Sequence, residues 1–439
     1  MQEKNFDIVI IGGGILGISI GYFLTLNSDA NILLIEQEKN VSRHTSSRNT
    51  GKVHAPFLYD PLKKKIFAKT AFLGYEMWNT YSKLKGIYFK QDGVVEIAKE
   101  ETDISVLKKY FDWGIKNGLE EKDILLLNEE ETKKIEPNIK CYGSILCKKD
   151  ASVDYGVLSN SLKCDYLEYG GTLLNLHRVT RIRSEKENSE IELITDKREK
   201  KNIYAKYVIN SSGGNSLDIA RQFGIGIDLI DLHFRGEYWR APKEYEKLTS
   251  HSIYSVPKQK NFPFLDPHWI VKADGHCEIG PNAVPVFGPY SYNFKDNFKN
   301  FFPKTIEIFA KRGLWSLITN SEFLSLITSE IASSFSKNVM INRVKRFLPR
   351  LETKKFKDRG ISGIRSLVID QKGTFIPDTL LLKNTLSMNI LNYNSPGATG
   401  ALALSAMLVQ ELIQDKTINK ITKDNQIWNI EDIYSKIKY

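Results

Sequence analysis

Three glycines near the N-terminus constrain the fold of this chain more than any other feature. Gly12, Gly14 and Gly17 form a GxGxxG pattern directly after the apolar stretch FDIVII (residues 6–11) and at the start of a helical stretch that reaches about Leu26. In such a unit the first glycine permits a tight turn, the second lets backbone amides approach a pyrophosphate, and the third packs helix against strand. The pattern therefore predicts a dinucleotide-binding βαβ unit.

The second strand of this unit ends on an acidic residue. Residues 31–36 (NILLIE) predict a buried strand, and Glu36 follows Gly17 by about 20 residues, the spacing that the fingerprint expects. A carboxylate at this position can accept hydrogen bonds from a ribose hydroxyl, and it argues against a ribose 2′-phosphate. We therefore expect Glu36 to bind the adenosine ribose of the cofactor.

The fingerprint alone fits both NAD and FAD, but two later segments favour FAD. The strand YVIN (207–210) leads into Ser211, Ser212 and Gly213, and the segment NSPGATG (394–400) opens an apolar helix. The amides at the start of that helix would suit the negative charge that develops on a reduced flavin. NAD enzymes usually keep the unit within one compact domain, whereas these segments are far apart in the chain.

The remaining patterns predict a mixture of helices and mostly antiparallel strands. Helices are predicted over 62–85, 101–117, 158–170, 295–345 and 398–414, and strands over 93–98, 172–182, 189–195, 202–209, 234–239, 251–256, 276–280, 284–287, 361–368 and 387–392. The fold class is α/β, with a Rossmann-like FAD-binding domain of the glutathione-reductase type interleaved with a mostly antiparallel α+β substrate domain. The expected FAD-binding domain comprises 1–85, 151–232 and 346–415, the substrate domain comprises 86–150 and 233–345, and 416–439 form a C-terminal tail.

Composition narrows the classes of partner. The net charge is +10, but the lysines are scattered, which favours a solvated basic surface over a nucleic-acid site. Four cysteines without CxxC spacing predict no metal site and favour a reducing compartment. The charged N-terminus does not fit a signal peptide, so a cytoplasmic location is expected. The apolar-rich stretch 305–332 leaves peripheral membrane contact open.

Together these motifs resemble the D-amino-acid-oxidase superfamily of FAD-dependent oxidoreductases, and within it the L-2-hydroxyglutarate dehydrogenase/oxidase branch. The likeness runs from about residue 6 to 414. Its motifs are the glycine fingerprint, RHTSSRNTGKVHA (43–55), ASVDYGVL (151–158), HFRGEYW (233–239), FPFLDPHWI (262–270), GPNAVPVFG (280–288), FLPRL (347–351), GIRSLVID (363–370) and NSPGATGAL (394–402). The chain departs from the branch at Lys52, Pro56, Asp266, Pro267 and Leu367, in segments expected to line the substrate pocket.

The resemblance implies roles for particular residues. Arg365 matches the position that clamps the substrate carboxylate, Tyr238 would form an aromatic wall, and Arg235 would contact a distal carboxylate. His54 and His268 are the candidate bases for the substrate hydroxyl. Residues expected to bind the cofactor are Gly12, Gly14, Ile15, Leu16, Gly17, Glu36, Gln37, Ser47, Arg48, Asn49, Thr50, Gly51, Val179, Ser211, Gly213, Gly397, Ala398 and Thr399.

The activity that the resemblance implies is oxidation of a small 2-hydroxy acid, with L-2-hydroxyglutarate giving 2-oxoglutarate by hydride transfer to flavin N5. The alternative keeps the scaffold but oxidises a C–N bond, as glycine-oxidase-like enzymes do. FAD is expected to be non-covalent, although related dimethylglycine-type dehydrogenases tether flavin through a histidine in a segment similar to that of His54. Oxygen and a quinone both remain open as the electron acceptor.

Overall fold

The computed structural model describes residues 4–259, 262–299, 312–421, 423 and 426–439. The strands, numbered along the chain, are β1 (Lys4–Ile11), β2 (Ile32–Ile35), β3 (Lys52–Val53), β4 (Val94–Ala98), β5 (Ile124–Asn128), β6 (Gly143–Cys147), β7 (Ala151–Ser152), β8 (Thr172–Leu174), β9 (His177–Ser184), β10 (Ser189–Thr195), β11 (Lys200–Asn210), β12 (Ile230–Gly236), β13 (Trp239–Arg240), β14 (Ser252–Ser255), β15 (His268–Val271), β16 (Cys277–Gly280), β17 (Val284–Val286), β18 (Gly363–Ile369), β19 (Leu380–Lys383) and β20 (Ser387–Leu391).

The helices, numbered in the same way, are α1 (Ile15–Asn27), α2 (Lys65–Lys85), α3 (Ile104–Lys116), α4 (Glu129–Ile135), α5 (Tyr155–Glu168), α6 (Ser216–Gln222), α7 (Phe294–Lys299), α8 (Arg312–Ile318), α9 (Ser321–Phe335), α10 (Lys337–Lys345), α11 (Gly397–Gln414) and α12 (Ile430–Lys438).

A mostly parallel sheet carries the glycine turn. Its strands run in the order β19, β20, β11, β1, β2, β8, and β10 and β9 continue antiparallel from β11. Successive side chains of a strand point to opposite faces. Ile8 and Ile10 accordingly pack against the helical layer of α1, α2, α5 and α11, whereas Val9 and Ile11 pack against β9, β10 and α6. Because both faces are covered, β2 and the Ile8–Ile11 part of β1 are apolar.

Two further sheets lie beside the parallel one. A seven-stranded sheet in the order β13, β16, β15, β14, β4, β6, β5 is antiparallel except where β14 runs parallel to β4. A three-stranded antiparallel sheet, β17, β12, β18, places Arg365 opposite Phe234. This arrangement agrees with the predicted α/β class and with a mostly antiparallel second part of the fold.

Several predicted element boundaries are wrong. The single helix predicted over 295–345 is interrupted in the described part, because the Asn320 side chain caps a new helix by accepting from the Phe323 amide at 3.0 Å, and Ser336 separates α9 from α10. The predicted strand 172–182 is split at Leu176, where φ is 59°. The predicted strand 234–239 ends at Gly236, and pairing resumes at β13.

The C-terminal segment is not a free tail. Within 416–439, Ile430, Ile433 and Ile437 of α12 join the hydrophobic core formed by α1, α2 and α11. As for membranes, none of the helices in the described ranges combines the length and the apolar character that a transmembrane span requires.

Candidate active site

A cavity of about 530 Å³ lies at the carboxyl ends of the parallel strands. Its lining includes the residues that directly follow four of these strands, namely Gly12 after β1, Glu36 after β2, Ser211 after β11 and Asn392 after β20. The carboxyl ends of parallel strands lie at the same edge of a sheet, and open α/β folds bind nucleotides at this edge. The cavity continues to the other sheets, where Arg365 and His268 line it. One cavity thus extends from the nucleotide turn to the candidate catalytic side chains.

The glycine turn leaves no room for side chains. A Cβ atom on Gly17 would lie 2.0 Å from the Gly12 carbonyl oxygen, and one on Gly12, whose φ is +105°, would lie 2.7 Å from the Ser211 carbonyl oxygen. Gly17 therefore brings α1 against the turn without lining the cavity, as its predicted packing role requires. Gly14, by contrast, lines the cavity directly.

Glu36 is buried beside this turn. Its Oε2 accepts from the Gly13 amide at 2.8 Å and its Oε1 accepts from the Glu38 amide at 2.8 Å. Burial raises the pKa of Glu36, whereas the two amides counteract that rise. A hydrogen-bonded carboxylate fixed in this way is suited to receive ribose hydroxyl groups.

Most residues expected to bind the cofactor come together around the cavity. Besides Gly12, Gly14 and Glu36, they are Ile15, Leu16, Gln37, Arg48, Asn49, Thr50, Val179, Ser211, Gly213, Gly397, Ala398 and Thr399.

Three do not line the cavity. Gly17 has the packing position described above. The Ser47 hydroxyl donates to the Ser42 carbonyl at 2.6 Å, and Gly51, with φ +71°, lies against the Val153 carbonyl. Ser47 and Gly51 therefore stabilise the conformation of the 42–54 segment without facing the cavity.

Arg365 is a partly buried cation that lines the cavity. Its Nη1 donates to the Pro263 carbonyl at 3.1 Å, and among the described residues it forms no ion pair with a carboxylate. Burial lowers its pKa, and the phenols of Tyr238 and Tyr59 act in the opposite direction. A buried guanidinium is costly unless an anion pairs with it, so the position is suited to a carboxylate ligand. Tyr238 lines the same cavity.

His268 is held in a defined tautomer. Its Nδ1 lies 2.6 Å from the Asp266 carbonyl oxygen, which can only accept, so Nδ1 carries the proton. The pKa of His268 is lowered to about 3, mainly by burial and to a smaller extent by the neighbouring His54 and Arg365. The ring is therefore neutral at physiological pH, with the lone pair of Nε2 available.

His54 lies on another wall of the cavity. Its Nδ1 lies 3.3 Å from Oδ2 of Asp150, and its amide donates to the Thr399 hydroxyl at 3.0 Å. Asp150 is fully buried and also accepts from the Ala55 amide. A carboxylate on Nδ1 again leaves Nε2 as the basic nitrogen, so both predicted bases have the required tautomer.

Tyr254 lies beside both histidines and was missed from the sequence. Its ring centroid lies 4.2 Å from that of His268 and 6.1 Å from that of His54. It lies on β14, where an aromatic residue in an alternating strand is indistinguishable from ordinary core. Only the pairing of β14 with β15 brings it beside His268.

Arg235 is not brought to the cavity. Its Nε and Nη2 donate to Oε1 of Glu237 at 3.1 and 2.9 Å, and its Nη1 donates to the Ser291 carbonyl at 3.3 Å. Because its donors are directed to Glu237 and Ser291, Arg235 stabilises the local structure. The predicted contact with a distal carboxylate gains no support from this position.

Most departures from the family pattern also lie away from the cavity. Asp266 pairs with Lys99 and with Nη2 of Arg343 at 2.8 Å, and Leu367 packs in a hydrophobic cluster. Lys52 does line the cavity, but its Nζ is engaged by Asp92 at 3.1 Å. In the part of the chain that the structure describes, no three His, Cys, Asp or Glu side chains form a potential metal site.

Comparison with known proteins is in agreement with this geometry. The family model described as DAO, FAD dependent oxidoreductase, matches residues 7–411. The mitochondrial L-2-hydroxyglutarate dehydrogenase of Mus musculus is 30% identical over 424 residues, which cover 92% of this chain and 88% of that protein. The corresponding protein of Bos taurus is 29% identical over 434 residues, with coverages of 94% and 90%.

Among solved structures, dithionite-reduced L-alpha-glycerophosphate oxidase from Mycoplasma pneumoniae with FAD bound has the same fold. The TM-score is 0.72 at 20% identity, over 97% of this chain and 98% of that one. The family match spans both the glycine turn and the strand that carries Arg365. The chain therefore belongs to the DAO family and is an FAD-dependent oxidoreductase.

Proposed function

We propose that this enzyme oxidises L-2-hydroxyglutarate to 2-oxoglutarate. One observation carries the proposal: Arg365, a cation without a carboxylate partner among the described residues, and His268, a neutral histidine with a free Nε2, line the same cavity as the nucleotide turn. The relatives named L-2-hydroxyglutarate dehydrogenase support the choice of substrate. An amine substrate has no comparable support from them.

The residues present fit FAD. A Cβ atom at Gly12 would collide with the turn, whereas one at Gly213, whose φ is +60°, would meet no atom within 4 Å. The cavity of about 530 Å³ extends from Glu36 to Arg365. Backbone amides at the start of α1 would meet the pyrophosphate, and Glu36 would meet the adenosine ribose. Gly397, Ala398 and Thr399, at the start of α11, would meet the flavin end.

FAD supplies the acceptor for the hydride that leaves C2 of the substrate. The protein supplies three functions around that transfer. Arg365 binds the carboxylate next to C2 and fixes the orientation of the substrate. A histidine Nε2 receives the proton of the C2 hydroxyl as the carbonyl forms. Tyr238 limits access of water to the site.

His268 is the stronger candidate for the base. Its side chain is more enclosed than that of His54, which keeps the ring neutral, and its Nδ1–H bond to the Asp266 carbonyl leaves the lone pair of Nε2 available to accept a proton. In His54, by contrast, Nδ1 lies 3.3 Å from the buried carboxylate of Asp150. We therefore assign proton abstraction to His268 and stabilisation of the released proton to the His54–Asp150 pair.

FAD is proposed to be non-covalent, and either oxygen or a quinone is the final acceptor. Acid precipitation is expected to leave a colourless pellet and a yellow supernatant. A yellow pellet would assign His54 to a flavin linkage instead. Oxygen consumption during turnover separates an oxidase from a quinone-linked dehydrogenase. The cytoplasmic location and peripheral membrane contact stay predictions from composition.

An anaerobic panel of substrates tests the proposed reaction. L-2-hydroxyglutarate is expected to bleach the flavin absorbance rapidly, its D-enantiomer and glycine to leave it unchanged, and L-lactate to act weakly. Bleaching by glycine but not by any hydroxy acid would contradict the proposal and would show that the enzyme oxidises a C–N bond. The D-enantiomer is the matched control, because it carries the same charges in the wrong configuration.

A further inference from the structure

A loop outside the nucleotide motifs contacts them from across the cavity. Residues 288–292 connect β17 of the three-stranded sheet to α7, and Tyr290 of this loop lines the cavity. The Tyr290 hydroxyl hydrogen-bonds with the side chains of Gln37 and Asn215. Burial raises the pKa of this phenol to about 12, so it stays neutral. A single ring thus touches the end of β2 and the turn after β11.

Tyr292 continues the same contact through a chain of hydrogen bonds. Because the Glu38 carboxylate can only accept, Nε2 of His44 donates to it at 3.1 Å, and Nδ1 then accepts from the Tyr292 hydroxyl at 2.9 Å. Burial lowers the pKa of His44, in agreement with a neutral ring. The Glu38 amide in turn donates to Glu36 at 2.8 Å, and the Arg48 guanidinium lies 4.3 Å from the Tyr292 ring centroid.

The other side of the loop is also fixed. A Cβ on Gly214 would lie 2.3 Å from Cβ of Pro289, so only glycine lets the loop approach the turn this closely. From the three-stranded sheet, Arg235 donates to the Ser291 carbonyl at 3.3 Å while it is paired with Glu237. The loop is therefore held at both faces, and Tyr290 is presented to the cavity at a fixed position.

We propose that the 288–292 loop clamps the adenosine half of FAD, with Tyr290 forming one wall of that binding site. The location follows from Glu36 and Gln37, which lie beside Tyr290 at the end where the ribose is expected. A tyrosine offers an apolar face together with a polar edge, which suits a nucleoside. In this role the loop slows the release of FAD, and the role does not depend on which substrate the enzyme oxidises.

Release of FAD from the holoenzyme tests the clamp. Flavin fluorescence is followed after dilution for Tyr290→Ala, for Tyr292→Phe and for the control Tyr142→Ala, whose side chain is 54% exposed and outside the cavity lining. We expect release to be at least tenfold faster for Tyr290→Ala, several-fold faster for Tyr292→Phe and unchanged for the control. The KM for the hydroxy acid at saturating FAD should not change.

Reconstitution with FMN separates a clamp from a general loss of structure, because FMN lacks the adenosine half. The full-length apoprotein of Tyr290→Ala should bind FMN as tightly as the wild type does. An unchanged release rate, or an equal loss of FMN and FAD affinity, would overturn the proposal. If Tyr290→Ala does not fold, Tyr292→Phe decides, since it removes a single oxygen atom, and unchanged release in that variant overturns the clamp.

Discussion

Nδ1 of His268 lies 2.6 Å from the carbonyl oxygen of Asp266. This bond fixes the proton on Nδ1 and leaves the lone pair of Nε2 available to accept a proton. We predict that His268→Gln slows anaerobic flavin reduction by about 10²- to 10⁴-fold, the usual contribution of a positioned base. FAD binding should be retained. Stopped-flow reduction measures the effect, and a change smaller than that of His54→Gln would exchange the two assignments.

The pH dependence of flavin reduction follows from the same burial. A His268 pKa lowered to about 3 means that the base is protonated, and inactive, only in strong acid. The limiting rate of reduction should therefore show no inflection that belongs to His268 between pH 5 and 8. An acidic inflection near 6.5 that disappears in His268→Gln would show that the histidine titrates normally and contradict its enclosure.

Arg365 should control substrate binding. Arg365→Ala removes the guanidinium that faces the cavity, and we expect the KM for L-2-hydroxyglutarate to rise by the equivalent of roughly 2–5 kcal/mol, the usual cost of stranding one partner of a buried pair. Arg181→Ala, on the exposed face of β9, is the control. Steady-state kinetics with saturating FAD distinguish them. Equal KM values for the two variants would remove Arg365 from the site.

Glu96 links stability to pH. It is 1% exposed on β4, neither carboxyl oxygen has a hydrogen-bond partner among the described residues, and burial raises its pKa to about 8. The folded state thus keeps a proton that the unfolded chain loses near pH 4.5, so the free energy of unfolding falls as pH rises from 4.5 to 8. The slope is at most about 1.4 kcal/mol per pH unit.

Glu96→Gln removes this linkage with little change of shape. Its stability relative to wild type should increase steadily between pH 5 and 8 in urea unfolding, while Glu101→Gln, an exposed control, should show no such trend. A difference that does not depend on pH would mean that Glu96 is ionised in the folded protein as it is in the unfolded chain, and would contradict the linkage.

The glycine turn should tolerate no methyl group at Gly17. Its Cβ would lie 2.0 Å from a backbone oxygen, which cannot move without displacing β1. Gly17→Ala is expected to be insoluble or free of flavin, whereas Ser19→Ala on the same helix loses only a hydroxyl bond to Ile15. The ratio of flavin absorbance to protein absorbance measures the outcome. A fully loaded Gly17→Ala protein would contradict the packing.

The sequence was most informative where a local pattern implies a local shape. The glycine turn after β1, the position of Glu36 after β2 and the start of α11 each follow from a short stretch of sequence. The structure has these three features where their local patterns predict them. The environment of Tyr254 depends instead on strands that meet in three dimensions, β14 with β15, and that of Arg235 depends on an ion pair with Glu237 and on the distant Ser291 carbonyl. Neither an ion pair formed two residues away nor a ring placed beside a distant histidine has a periodic signature.

The long helix predicted over 295–345 failed for a related reason. Its apolar periodicity continues across Asn320 and Ser336, but the Asn320 side chain caps α9 and so competes with a continuous helix. The 288–292 loop was likewise overlooked because a turn between a strand and a helix gives no sign of what it covers. Its contacts with Gln37 and His44 cross most of the chain.

A single-turnover reaction tests the central claim most directly. The purified flavoprotein is mixed anaerobically with L-2-hydroxyglutarate, either unlabelled or deuterated at C2, and absorbance and product are measured together. The account predicts loss of the oxidised flavin spectrum, a slower loss with the deuterated substrate, and one 2-oxoglutarate formed per flavin. A flavin that stays oxidised in the presence of this substrate would contradict the account.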